Sequence, residues 1–159
     1  MPAELLTDIS AVDINNVFLD KEKIRAIIPH RYEMEQIDAV LRFDKDNRLI
    51  VGLKDVRPDE FWVRGHIPGR PLLPGVLMVE SAAQLATILS RLLGVSPGNK
   101  FIGFSGIDKV KFRGTVVPGD KVIVIIKCTD LNNRRAIFDA QGAVNGKLVF
   151  EGTITGMMI

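Results

Sequence analysis

Between Pro74 and Leu93 the chain reads PGVLMVESAAQLATILSRLL, and no other run restricts the possible folds as much. A proline suited to the first helical turn, a series of good helix formers and Gly94 as a stop predict one helix over about residues 75–93. Roughly 19 residues at 1.5 Å each make a rod about 28 Å long. Only Glu80 and Arg91 in it are charged, and Arg91 falls in the last turn, where it complements the helix dipole and reaches water. A helix apolar on nearly every face has to be enclosed. A membrane would also enclose it, but Glu80, Ser81 and Gln84 lie too centrally, and no apolar run approaches the roughly 18 residues of a span.

The rest of the chain can supply the enclosure. Ile37, Ala39, Leu41 and Phe43 alternate, a polar turn follows at Asp44–Asn47, and Arg48–Val56 completes an expected β-hairpin. Downstream, Lys100–Arg113, Lys121–Leu131, Arg135–Val144 and Lys147–Met158 are strand-like. Their joints are VVPGD (116–120), LNNR (131–134) and Asn145-Gly146, a pair that accepts the positive φ angles of a two-residue hairpin turn. Two strands, a buried helix and four strands in antiparallel meander predict an α+β fold, a curved antiparallel sheet wrapped around the helix. Upstream, Asp20 caps a short helix in DKEKIRAII with Ile24, Ile27 and Ile28 on one face, ended by Pro29. Residues 1–19 show no clear period and are expected to form an arm. One domain, residues 1–159, accounts for the whole.

Composition removes several classes of function. A net charge of +2 with 25% charged residues argues against a nucleic-acid binder acting through bulk charge. The single cysteine, Cys128, has no partner for an intrachain disulfide and reads as a small apolar filler of a strand. One cysteine and two histidines offer no metal site. The segment MPAELLTDISAVD lacks the basic start and apolar core of a signal peptide, so a soluble cytoplasmic protein is expected.

The chemistry concentrates in GHIPGRPLLPGVLMVESAAQ, residues 65–84. His66 stands in a turn stiffened by Gly65, Pro68, Gly69, Pro71, Pro74 and Gly75, which leads directly into the helix. Such a turn positions a side chain, although a purely structural turn would look the same. An ionised carboxylate costs several kcal/mol to bury unpaired, and no lysine or arginine lies within a helical turn of Glu80. Either Glu80 is solvated at a subunit contact or channel, or it occupies an apolar pocket as a proton donor. Gln84, one turn on, shares its face. The free N–H groups of Gly75 and Val76 at the helix start suit a developing oxyanion. Base, acid and oxyanion donors together equip a site for proton abstraction α to a carbonyl and loss of a β-hydroxyl. His66 and Glu80 could meet within one chain or across a symmetric dimer.

The same stretch resembles the signature of the β-hydroxyacyl-(acyl carrier protein) dehydratases of the FabZ type, GHFPGRPxMPGVLxxEAxAQ. The likeness continues in IPHRY (28–32) and FIGFSGIDKVKFRGTVVPGD (101–120) and covers nearly all residues from Ile24 onward. It implies a hot-dog fold, His66 as base at C2 of the acyl chain and Glu80 as the acid that expels the C3 hydroxyl. It further implies the Gly75 N–H as donor to the thioester carbonyl, Gln84 orienting the carboxylate, and no cofactor. The site would be shared across a homodimer, often built into a hexamer. Glu at position 80, rather than Asp, points to the FabZ branch over the FabA branch. Where the family reads PHRYPFLLID this chain has PHRYEMEQID. Glu33, Met34, Glu35 and Gln36 thus replace a proline and apolar residues in a segment that the resemblance places near the acyl tunnel. Ile67 stands where phenylalanine is usual.

Lys109, Lys111 and Arg113 alternate and are expected on one strand face, either simply solvated or, with Arg64 and Arg70, docking an acidic acyl carrier protein. The expected activity is dehydration of a 3-hydroxyacyl-(acyl carrier protein) to the trans-2-enoyl thioester in fatty-acid or related acyl-chain synthesis. The alternatives are a hot-dog thioesterase using Glu80 to activate water, and a non-catalytic acyl-binding subunit.

Overall fold

The structure, a computed structural model, describes residues 4–95 and 102–159. Residues 1–3 of the expected arm and residues 100 and 101 of an expected strand lie outside the described residues. In chain order come α1 (Lys21–Arg25), β1 (Ala39–Asp44), β2 (Leu49–Asp55), α2 (Gly75–Leu92), β3 (Ile102–Phe112), β4 (Lys121–Leu131), β5 (Arg135–Val144) and β6 (Lys147–Met158).

Local rules account for most of these boundaries. The Asp20 carboxylate accepts from Lys23 N at 3.0 Å and starts α1. The regular helix stops at Arg25, but Ile28 N still reaches Ile24 O at 3.0 Å, so both isoleucines enter the core. Asn145 and Gly146 take φ of 51° and 78°, the geometry that joins β5 to β6 tightly. On α2, Leu85, Ile88 and Leu89 are wholly buried; burying each such side chain contributes about 1.5–3 kcal/mol. Cys128 also lies in the core, and burial pushes its thiol up from its ordinary range.

All six strands form one antiparallel sheet in the order β1-β2-β4-β5-β6-β3. The expected four-strand meander holds for β4, β5 and β6 only; β3 pairs with β6 at the far edge. The reason is competition for β4. Strand β2 is buried from Leu49 to Lys54, hence on both faces, and takes one edge of β4 along its whole length while β5 takes the other. Strand β3, exposed at several positions, is left to the edge.

The outer face of β2 and β4 is covered by the arm. Leu5, Leu6, Ile9 and Val12 pack on Leu49, Val51 and Ile125. Gln141 clamps it, accepting from Leu6 N at 2.7 Å and donating to Glu4 O at 2.9 Å. The inner face holds α2, but not on all sides as its apolar composition suggests. Val76 is 70% exposed, and Val79, Glu80 and Ala83 on the same stripe are half-buried, because the sheet curves around one side of the helix only. No helix among the described residues is long and apolar enough to cross a membrane.

Candidate active site

The turn between β2 and α2 that carries His66 is held from below. Lys54 on β2 donates to Glu60 at 2.8 Å, with side chains only 3% and 7% exposed. The second Glu60 oxygen accepts from Arg57 N at 2.8 Å. Gly65 N and His66 N both donate to the carbonyl of buried Trp62, at 3.2 and 2.8 Å. Leu72 N donates to His66 O, and Leu73 N docks on Val116 O, each at 2.8 Å. Main-chain bonds, added to the prolines and glycines, make the turn rigid. The His66–Ile67 peptide is cis.

His66 itself is exposed, with Nδ1 2.7 Å from Leu72 O. A carbonyl only accepts, so Nδ1 carries the hydrogen, and in the neutral ring the lone pair then belongs to Nε2. That is the tautomer a base needs.

Glu80 lies on the border between the covered and open sides of α2, and its side chain is 29% exposed. The burial expected from the apolar run is therefore only partial in the single chain. Gln84 Nε2 donates to Glu80 Oε1 at 2.8 Å and to Met34 O at 2.6 Å, while Gln84 Oε1 accepts from Gln36 N at 3.0 Å. An N–H can only donate, so the Gln36 contact settles which end of the Gln84 amide is oxygen. Glu80 opens on a narrow cleft of about 90 Å³ with apolar walls that include Ala83, Phe104, Phe138 and Ile154.

Sequence reasoning gave no role to His30, which also lines this cleft, its Nε2 3.7 Å from Glu80 Oε1. Fifty positions separate the two (80 − 30 = 50) and no spacing rule connects them. The altered segment 33–36 frames the site as well. It grips Gln84 through the Met34 carbonyl and the Gln36 N–H, so its unusual side chains leave that grip intact. Arg25 pairs with Glu35 and holds its carboxyl below the ordinary range.

Helix α2 begins at Gly75 with Pro74 as N-cap, which offers no side-chain bond to the first N–H groups. A Cβ at Gly75 would lie 2.7 Å from the Phe112 ring, so any larger residue there would have to displace that ring from the helix start. His66 is not on the walls of the Glu80 cleft, and among the described residues no hydrogen bond or ion pair joins the two side chains within one chain.

Arg64 and Arg70 flank His66 and are exposed, as are Lys109, Lys111 and Arg113. The alternation expected for the last three is broken: the register shifts between Asp108 and Lys111, and Lys109 has φ 55°. An extra residue at this bulge resets which face each side chain takes. Arg113 follows the end of β3 and bonds Glu151 at 2.7 Å, which offsets its charge. Among the described residues no cluster of three or more His, Cys, Asp or Glu could hold a metal ion.

The chain was compared with known proteins. Residues 28–153 match the FabA-like domain. The 3-hydroxyacyl-[acyl-carrier-protein] dehydratase FabZ of Streptococcus sanguinis is 39% identical over 137 residues, 86% of this chain and 96% of that protein. The enzyme of the same name from Streptococcus mutans matches to the same extent. Among solved structures, the dehydratase heterocomplex ApeI:P from Xenorhabdus doucetiae aligns with a TM-score of 0.72 at 15% identity, over 86% of this chain and 90% of that one. A mutant thioesterase, PA1618 from Pseudomonas aeruginosa, aligns at 0.68 and 17%, over 89% and 95%. Both share the hot-dog fold, a likeness of fold alone.

Proposed function

The chain belongs to the FabA-like family, in its FabZ branch, and from that premise we propose that it is a 3-hydroxyacyl-(acyl carrier protein) dehydratase. The acyl chain enters as a thioester and leaves as the trans-2-enoyl thioester plus water. The observation that carries the reading is Glu80: a carboxyl steadied by Gln84 at the mouth of an apolar cleft suited to a hydrocarbon tail.

His66 Nε2 takes the C2 proton. The C–H electron pair moves toward the carbonyl, whose developing charge is met by the Gly75 N–H, with Val76 beside it at the helix start. The pair then forms the C2=C3 bond as the C3–O bond breaks, and the departing hydroxide takes a proton from Glu80 to become water. No cofactor enters this scheme.

The site of this scheme is shared between two copies. The open stripe of α2 and the separation of His66 from the Glu80 cleft support that arrangement, and two-fold pairing is the commonest way to close such a surface. Further assembly to a hexamer, a cytoplasmic location and a single domain over residues 1–159 belong to the same reading. Exposed Arg64 and Arg70, which flank His66, together with exposed Lys109 and Lys111, are the docking residues for an acidic carrier protein; Arg113, paired with Glu151, adds little.

Two measurements test this. With a short 3-hydroxyacyl thioester, enoyl absorbance rises without release of thiol; thiol release would instead support the thioesterase, and neither signal the non-catalytic subunit. Sharing is tested by mixing inactive His66→Asn and Glu80→Gln subunits. Half of random dimers are mixed, and each has one site with both native residues, so activity returns to about a quarter of the native level. If each site belonged to one chain, the mixture would stay dead.

A further inference from the structure

His30 meets Glu80 and little else that is charged. Its side chain is 23% exposed, and Nδ1 is buried with no hydrogen-bond partner among the described residues. Behind the ring lies a second cavity of about 10 Å³, with Arg25 from α1, Glu35 and Gln84 among its walls. Arg25 and Glu35 bond each other at 3.0 Å and so offset one another. The neighbouring Arg31 spends its guanidinium on the carbonyls of Arg25, Ile28 and His30. Strands β3, β5 and β6 bring only apolar residues and a glycine to the cleft. Glu80 is the uncompensated partner, 3.7 Å from Nε2.

We propose that His30 is a positioning residue that holds, jointly with Glu80, the proton which Glu80 delivers to the departing hydroxyl. The inference rests on the dehydratase reading above. A solitary carboxyl titrates near 4.3 and is ionised at neutral pH, with no proton to give, whereas imidazole titrates near 6.5. The ring 3.7 Å away offers that proton a second seat, so that Nε2 and Glu80 share one proton between them. When the C3–O bond breaks, the single proton held between Nε2 and Glu80 passes through Glu80 to the departing hydroxide. His30 ends neutral, Glu80 ends as carboxylate, water departs, and His66 carries the proton removed from C2. Return of that proton through solvent resets the site. The 3.7 Å separation closes in this scheme as substrate fills the cleft; catalytic contacts are often long before substrate binds. Gln84 and His30 both address Oε1, which leaves Oε2 for the substrate.

The test is the pH dependence of His30→Gln, which keeps an N–H near the position of Nε2 but does not titrate. Between about pH 5.5 and pH 9, KM stays within about twofold of the native value. At about pH 8 kcat falls about tenfold, the deficit shrinks toward about pH 6, and the optimum moves about one unit to acid, because an ordinary carboxyl is then the only acid. A kcat unchanged at every pH would show the ring idle, and a deficit equal at every pH would show a packing role; either overturns the proposal. If the native protein proved to be no dehydratase, the function would fail but the pairing would still be measurable. The His30 ring signals in NMR should then move in Glu80→Gln, since the carboxylate faces Nε2. Unmoved ring signals would overturn the pairing itself.

Discussion

His66→Asn is expected to lower kcat by about 10²–10⁴-fold, the usual contribution of a positioned general base, with KM and thermal unfolding little changed. The side chain is exposed and among the described residues makes one hydrogen bond, Nδ1 to Leu72 O. An asparagine amide can offer an N–H to that same carbonyl, while the lone pair at Nε2 is lost. The turn survives because its own bonds are main-chain: His66 N to Trp62 O and Leu72 N to His66 O, both 2.8 Å. Steady-state kinetics with a 3-hydroxyacyl thioester, beside a thermal melt, separate lost chemistry from lost fold. Glu80→Gln should behave likewise, since its amide can still meet Gln84 but has no acidic proton to give. Native turnover in either variant would remove that residue from the mechanism.

Lys54→Met is expected to cost about 3–5 kcal/mol of stability, the range seen when one partner of a buried ion pair is removed. Lys54 and Glu60 are almost inaccessible, and among the described residues Glu60 would keep the Arg57 N–H at 2.8 Å and the attraction of the Arg57 guanidinium. Urea unfolding reads the loss. The double variant Lys54→Met with Glu60→Leu should recover most of it, because a well-packed apolar pair costs no desolvation of charge. A loss below about 1 kcal/mol in the single variant would mean that the pair is effectively solvated. The pair fastens the His66 turn to β2, so residual folded Lys54→Met protein should also lose kcat. Stability and catalysis thus meet at a residue that takes no part in the reaction.

Much of this molecule was legible residue by residue. Helix α2 runs over Gly75–Leu92, close to the expected 75–93, because its proline start and glycine stop act within a few residues. Strands β4, β5 and β6 begin and end where alternation and turn residues placed them, and Asn145-Gly146 takes the positive φ values that its chemistry favours. His66, Glu80 and Gln84 were singled out as a group for the same reason: a rigid turn, a helix start and one face of one helix are local.

Other features depend on parts of the chain that no short-range rule connects. The place of β3 beside β6 followed from β2 having already occupied an edge of β4. The bulge at Asp108–Lys111 upset the shared face of three basic residues. The arm proved to cover the outer sheet face, and His30 arrived beside Glu80 from fifty residues away (80 − 30 = 50).

By itself, then, the sequence determined the elements, their turns and the identity of a base and an acid, because propensity, capping and turn chemistry act over a few residues. Only the tertiary structure decided strand order, which side of α2 stays open, and what stands next to Glu80. Those depend on which edges and faces remain free once the largest apolar surfaces have been buried.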